Sequence, residues 1–119
     1  MKGIFFESGK KSWEILGGGV SRQIMGYDQH IMLVKVKFEK GSEGVAHKHP
    51  HSQTSFVAEG VFEVTVDNCK QILKAGDSFF IPPDVVHGVI CLESGILIDN
   101  FSPAREDFLK DASPNLFGA

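Results

Sequence analysis

The chain has 119 residues, 42% of them apolar, with ten phenylalanines and a formal net charge of −3. That length suits one packed domain and not two, and the apolar fraction excludes general disorder. The basic residues are dispersed, which excludes a phosphate-tracking surface for nucleic acid and leaves room for a local basic pocket facing an acidic small molecule.

The chain begins M-K-G-I-F-F-E-S-G, too short and too polar an apolar run for a signal peptide, and no later run approaches a membrane span. Cys69 and Cys91 do not make a disulfide framework, so the expectation is a soluble cytoplasmic protein with free thiols. Residues 4–7 read as a short edge strand closed by Ser8-Gly9, and residues 17–19 are a flexible G-G-G before a strand over 20–27. Residues 31–39 give the clearest period: Met32, Val34, Val36 and Phe38 on one face, Lys35, Lys37 and Glu39 on the other.

Lys40 to Gly44 breaks that strand, and a histidine-bearing strand follows. Residues 62–66 alternate again, Asp67-Asn68 reads as a tight hairpin turn, and 71–74 return. A strand over 78–81 ends at Pro82-Pro83-Asp84. Residues 85–92 make another, Glu93-Ser94-Gly95 reads as a turn, and 96–101 form the last. Many short strands between Gly, Pro, Asp and Asn favour an antiparallel sandwich or small barrel. A helical turn follows Pro103, with Phe108 and Leu109 for docking and Pro114 as its stop.

The chemistry sits in H-K-H-P-H-S-Q, residues 47–53. On an extended backbone His47, His49 and His51 share one face, and Gln53 keeps the same parity. Neutral imidazoles suit zinc, nickel, iron or manganese, and an amide oxygen can complete the set. His87, in P-P-D-V-V-H-G, is a further candidate ligand if its strand folds back across the first. The plain alternative is a polar loop or surface cluster. His30 and His51 read as residues behind the ligands, facing substrate, or at the surface. Arg22 and Lys35 are weak pocket candidates.

The segment 41–60, G-S-E-G-V-A-H-K-H-P-H-S-Q-T-S-F-V-A-E-G, and the segment 76–87, G-D-S-F-F-I-P-P-D-V-V-H, resemble the two cupin patterns in order. Gln53 stands where many cupins carry Glu, which leaves any bound metal without that negative charge. Adding W-E-I-L-G-G-G-V-S-R-Q-I near the N-terminus and D-N-F-S-P-A-R-E-D-F-L over 99–109, the chain is similar over nearly its full length to the small KdgF-type cupins of pectin and alginate catabolism. The resemblance implies an all-β, single-domain cupin: an antiparallel jelly-roll β-barrel with a short C-terminal helical turn. Its N-terminal strands would cover 1–30, its barrel core 31–101 and its tail 102–119.

It also implies metal-dependent ring opening of 4,5-unsaturated uronate monosaccharides, one divalent ion (Zn, Ni, Mn or Fe) on His47, His49, Gln53 and His87, and a homodimer. Asp99, Phe101 and Arg105 would serve the substrate, with Gln53 also facing it. Here Asp99 is the proton shuttle, Arg105 a carboxylate clamp and Phe101 a pocket wall. Each has a plain alternative: Asp99 ending a strand, Phe101 joining the core, and Arg105 as a solvent-facing residue paired with Asp107. An oxygen-using cupin and a non-catalytic carbohydrate-binding cupin are the other functional readings.

Overall fold

The computed structural model describes residues 3–109; the first two residues and the helix stop expected at Pro114 lie outside them. The strands are β1 (Glu14–Gly17), β2 (Val20–Tyr27), β3 (Met32–Phe38), β4 (Glu43–His47), β5 (Ser52–Val66), β6 (Cys69–Lys74), β7 (Ser78–Ile81) and β8 (His87–Ser102), followed by the helical turn α1 (Glu106–Leu109). On β3 the alternation in the sequence becomes alternation in burial, with Met32, Val34, Val36 and Phe38 inside and Lys37 out. The β5–β6 hairpin turns on Asp67 and Asn68, both at positive φ (49° and 65°), as a tight two-residue connection requires.

Residues 4–7 form no strand. Instead Ser8–Lys10 makes a single 3-10 turn. The buried Gln23 amide holds it in place, donating to Ser8 O at 3.0 Å and Lys11 O at 2.8 Å while its oxygen accepts from Ser8 Oγ at 2.7 Å.

The turn expected at 93–95 is also absent, because β8 runs through those residues as one strand of 16. Gly95 there lies against Glu59 and Gly60 of β5, close enough that a Cβ at Gly95 would collide with the Glu59 carbonyl. A glycine in this setting marks the close approach of two backbones and not a chain reversal. Replacing Gly95 with Ala is therefore expected to lower stability by about 2–4 kcal/mol, read as a shifted urea midpoint. A midpoint equal to that of the wild type would show that the two backbones tolerate a side chain at this crossing.

The register shifts near Gly60 let β5 bend, so β5 and β8 each serve two parts of one sheet. Residues 95–101 of β8 pair with β3, and 87–90 pair with β4. Residues 53–56 of β5 pair with β7, and 61–66 pair with β6. The core is shared by both parts: Phe38 of β3 meets Phe62 of β5 edge to face at 5.2 Å.

The expected closed jelly-roll β-barrel is not what forms. The pairing path is β1-β2-β3-β8-β5-β6, with β4 beside β8 and β7 beside β5, and its two end strands do not pair with each other. β1 has only four residues, and β6 is exposed along most of its length and carries Lys70 and Lys74. Short and lysine-bearing edges resist further strand pairing. Among the described residues the domain is all-β apart from the 3-10 turn and α1, and its sheet is open.

Candidate functional site

Three imidazoles converge where β4 ends and β8 begins. His47 closes β4 and is the register partner of His87, which opens β8. Their ring centroids are 4.5 Å apart, and that of His49 lies 5.5 Å from His47 and 4.8 Å from His87. The three offer ligand nitrogens that all lie within 4.8 Å of one another. The strand ladder does not continue through the motif: residues 48–51 leave it with a bend at Pro50, which has no N–H to give it. His49 reaches the cluster across that irregular segment, and its carbonyl accepts from Asp84 N at 2.8 Å, which ties the Pro82-Pro83-Asp84 loop to it.

Each ring faces a backbone carbonyl through Nδ1: His47 to Val45 O at 2.7 Å, His49 to His51 O at 3.1 Å and His87 to Val85 O at 2.9 Å. A carbonyl only accepts, so Nδ1 carries the proton and Nε2 keeps its lone pair, the form that ligates metals. His87 Nε2 is buried with no hydrogen-bond partner among the described residues.

A second observation fits an ion. His49 Nε2 lies 2.9 Å from Gln53 Oε1. With Nδ1 protonated, two lone pairs face each other, an arrangement that a cation shared between them relieves. Donors bound to one ion at about 2.0–2.1 Å stand roughly 3 Å apart when at right angles. The cluster is thus capable of holding a divalent ion, with Gln53 beside it.

From Gln53 the polar chain runs inward. Gln53 Nε2 donates to Ser55 Oγ at 2.9 Å, and Ser55 Oγ donates to Asp99 Oδ1 at 2.6 Å. The β5–β8 register sets this, placing Gln53 opposite Phe101 and Ser55 opposite Asp99. All four are buried to 1% exposure or less, and the second carboxylate oxygen of Asp99 has no hydrogen-bond partner among the described residues. Ser55 carries no motif of its own; its parity with Gln53 was the only signal for it in the sequence.

The tail closes the other side. Arg105 is 3% exposed, so it is not a solvent-facing residue, yet it does pair with Asp107, donating from Nε at 3.0 Å and Nη2 at 2.8 Å. Its Nη1 is buried with no hydrogen-bond partner among the described residues. The Phe101 ring stands between the two halves, 5.7 Å from the His49 ring and 5.1 Å from the Arg105 guanidinium. His51 also comes near, its ring centroid 5.3 Å from that of His49 and 6.5 Å from that of Phe101. His30 is exposed and outside the cluster, and Lys35 binds Ser8 Oγ at 3.1 Å beside Trp13. Arg22 is fully buried and paired with Glu14. A cleft of about 560 Å³ lined by residues including Gly18, Glu39 and Glu59 contains none of these groups.

Burial dominates the electrostatics. It holds His49 and His87 down to about 4, with the Arg105 charge acting in the same direction. It pushes Asp99 up to about 7 against the Ser55 hydrogen bond and the Arg105 charge. Folding thus lowers two imidazoles below their unfolded value of 6.5, so unfolding takes up protons between pH 6.5 and 4. The metal-free protein is expected to lose stability progressively as pH falls through that window. Urea titrations at pH 7 and 5 on chelator-treated protein read it, and equal stabilities, with the Asp99 contribution removed by substitution, would contradict it.

Comparison with known proteins agrees with this geometry. Residues 34–98 match the family described as the cupin domain. The chain is 45% identical over 107 residues to the pectin degradation protein KdgF of Dickeya dadantii (strain 3937), covering 88% of this chain and 97% of that one. Among solved structures, an RmlC-like cupin from Shewanella frigidimarina NCIMB 400 superposes with a TM-score of 0.87 at 52% identity, covering 88% of this chain and 95% of the other. KdgF from Halomonas sp. superposes with a TM-score of 0.86 at 37% identity, covering 89% and 98%.

Proposed function

The chain belongs to the cupin family, and from that premise we propose that it opens the ring of 4,5-unsaturated uronate monosaccharides to linear 4-deoxy-5-keto-uronates, as a relative of the KdgF proteins of pectin degradation. The observation that carries the reading is a buried proton carrier, Asp99 Oδ2, and a buried cation edge, Arg105 Nη1, both without hydrogen-bond partners among the described residues and lying with Phe101 beside a three-histidine cluster.

The substrate has a hemiacetal hydroxyl on C1, and its ring oxygen is also an enol-ether oxygen on C5. The Asp99 carboxylate takes the C1 hydroxyl proton, the C1 carbonyl forms, and the bond from C1 to the ring oxygen breaks. The electron pair of that bond passes to the ring oxygen as an enolate, and Asp99 returns a proton to C4 as C5 becomes a ketone. Nothing is gained or lost overall, so no co-reactant is needed. A carboxyl held near 7 is suited to both transfers at neutral pH. Ser55 orients it through Oδ1 and leaves Oδ2 to act.

Arg105 grips the C6 carboxylate through the end of its fork that Asp107 leaves open. Phe101 presents an apolar wall to the sugar face. A divalent ion held by His47, His49, His87 and Gln53 supplies, when bound, Lewis-acid stabilisation of negative oxygen.

The test is to mix metal-replete protein with freshly made unsaturated galacturonate monomer and follow the loss of its conjugated ultraviolet absorbance, with protein-free and chelated controls. Acceleration abolished by chelation supports the proposal. No acceleration with any refilled metal, on either pectin-derived or alginate-derived monomer, would overturn it. We also propose a homodimer, supported by the open sheet edges and by Phe56 and Phe80, 45% and 58% exposed. A monomer mass in sedimentation would refute it.

A further inference from the structure

Phe108 is buried on α1 and takes no part in the proton path, yet it meets both of the chain's buried arginines. The Arg105 guanidinium carbon lies 4.3 Å from its ring centroid, and that of Arg22 lies 3.9 Å from it. Phe101 packs against the same ring edge to face at 5.6 Å. Each guanidinium also has its own carboxylate. Arg22 donates from Nε and Nη2 to Glu14 at 3.0 and 3.1 Å, and Arg105 does the same toward Asp107 at 3.0 and 2.8 Å. The order Glu14, Arg22, Phe108, Arg105, Asp107 therefore runs from β1 to α1. An aromatic face attracts cations, and the flanking carboxylates offset the repulsion between two cations that share one ring.

The consequence falls on Arg105. A guanidinium is a planar fork with a side edge, Nε and Nη2, and an end edge, Nη1 and Nη2. Asp107 occupies the side edge, the Phe108 ring sets the tilt of the plane, and Nη1 is left buried with no hydrogen-bond partner among the described residues. We infer that Phe108, braced by the Arg22–Glu14 pair, is a positioning residue that presents the end edge of Arg105 to the substrate carboxylate. The substrate class rests on the ring-opening reading; the orientation of Arg105 does not. The carboxylate is gripped from binding onward, so losing the brace weakens KM more than kcat.

The variant F108L keeps an apolar side chain on α1 and removes the aromatic face, while F108Y retains that face. R22M removes the second cation while leaving the sequence of α1 unchanged. The expected result for F108L is a KM raised about tenfold with kcat changed less than about threefold, and unchanged metal content. Its Arg105 Nε–H signal in nitrogen-15 NMR weakens through faster exchange with water. F108Y restores both properties, and R22M shows a smaller loss of the same kind. Wild-type KM in folded F108L, or an Arg105 Nε–H signal as protected as in the wild type, would overturn the inference. The NMR signal needs no turnover, so it decides the matter even if the wild-type protein opens no ring.

Discussion

Replacing Asp99 with Asn is expected to lower kcat about a thousandfold while metal content stays at the wild-type level, within the usual range for losing a positioned acid–base group. The amide oxygen still accepts from Ser55, so the chain of Gln53, Ser55 and residue 99 keeps its geometry. What is lost is the ability to take up and return a proton. The same substitution is expected to stabilise the metal-free fold. Burial raises the Asp99 carboxyl from 3.8 to about 7, so its ionisation opposes folding increasingly as pH rises between those values. Asn carries no such charge. The urea midpoint of metal-free D99N should exceed that of metal-free wild type at pH 8, and the difference should vanish toward pH 4. Turnover within tenfold of wild type would remove Asp99 from the mechanism.

Replacing His87 with Ala is expected to reduce bound metal to less than about a tenth of the wild-type level and turnover to the uncatalysed rate. His87 is 3% exposed and fixed by its Nδ1–H to Val85 O, so its Nε2 is aimed without any freedom that a neighbouring ring could replace. Metal analysis after dialysis reads the first effect. Thermal melting reads a second: added metal raises the wild-type midpoint by mass action and leaves that of H87A unmoved. Metal-free H87A should also be less acid-sensitive between pH 6.5 and 4, because one of the two strongly depressed imidazoles is gone. Full metal occupancy in H87A would exclude His87 as a ligand.

The proton path and the metal cluster differ in how openly the chain displays them. The pattern H-K-H-P-H-S-Q and the distant His87 are visible because ligand chemistry restricts residue types and repeats them at short spacing. Asp99 and Phe101 share a face by strand alternation, and both are buried in the structure. Ser55 has no such signature. A serine two residues after Gln53 is ordinary until the register sets it opposite Asp99. Arg22 was legible only as a weak pocket candidate, since its burial depends on Glu14 from β1 and Phe108 from the far end of the chain.

The fold divides in the same way. Local chemistry was enough for the all-β class, the alternation of β3 and the turn at Asp67-Asn68, because each depends on residues adjacent in the chain. Tertiary structure decided three things: that 93–95 continue β8, that residues 4–7 stay outside the sheet, and that the sheet stays open with β1 and β6 unpaired to each other. Gly95 looks like a turn residue in one dimension and proves to be the place where β8 crosses Glu59 and Gly60. Strand alternation specifies which side chains face inward; it does not specify which edges meet. That is set by the bends of β5 and β8 and by pairings between residues far apart in the chain.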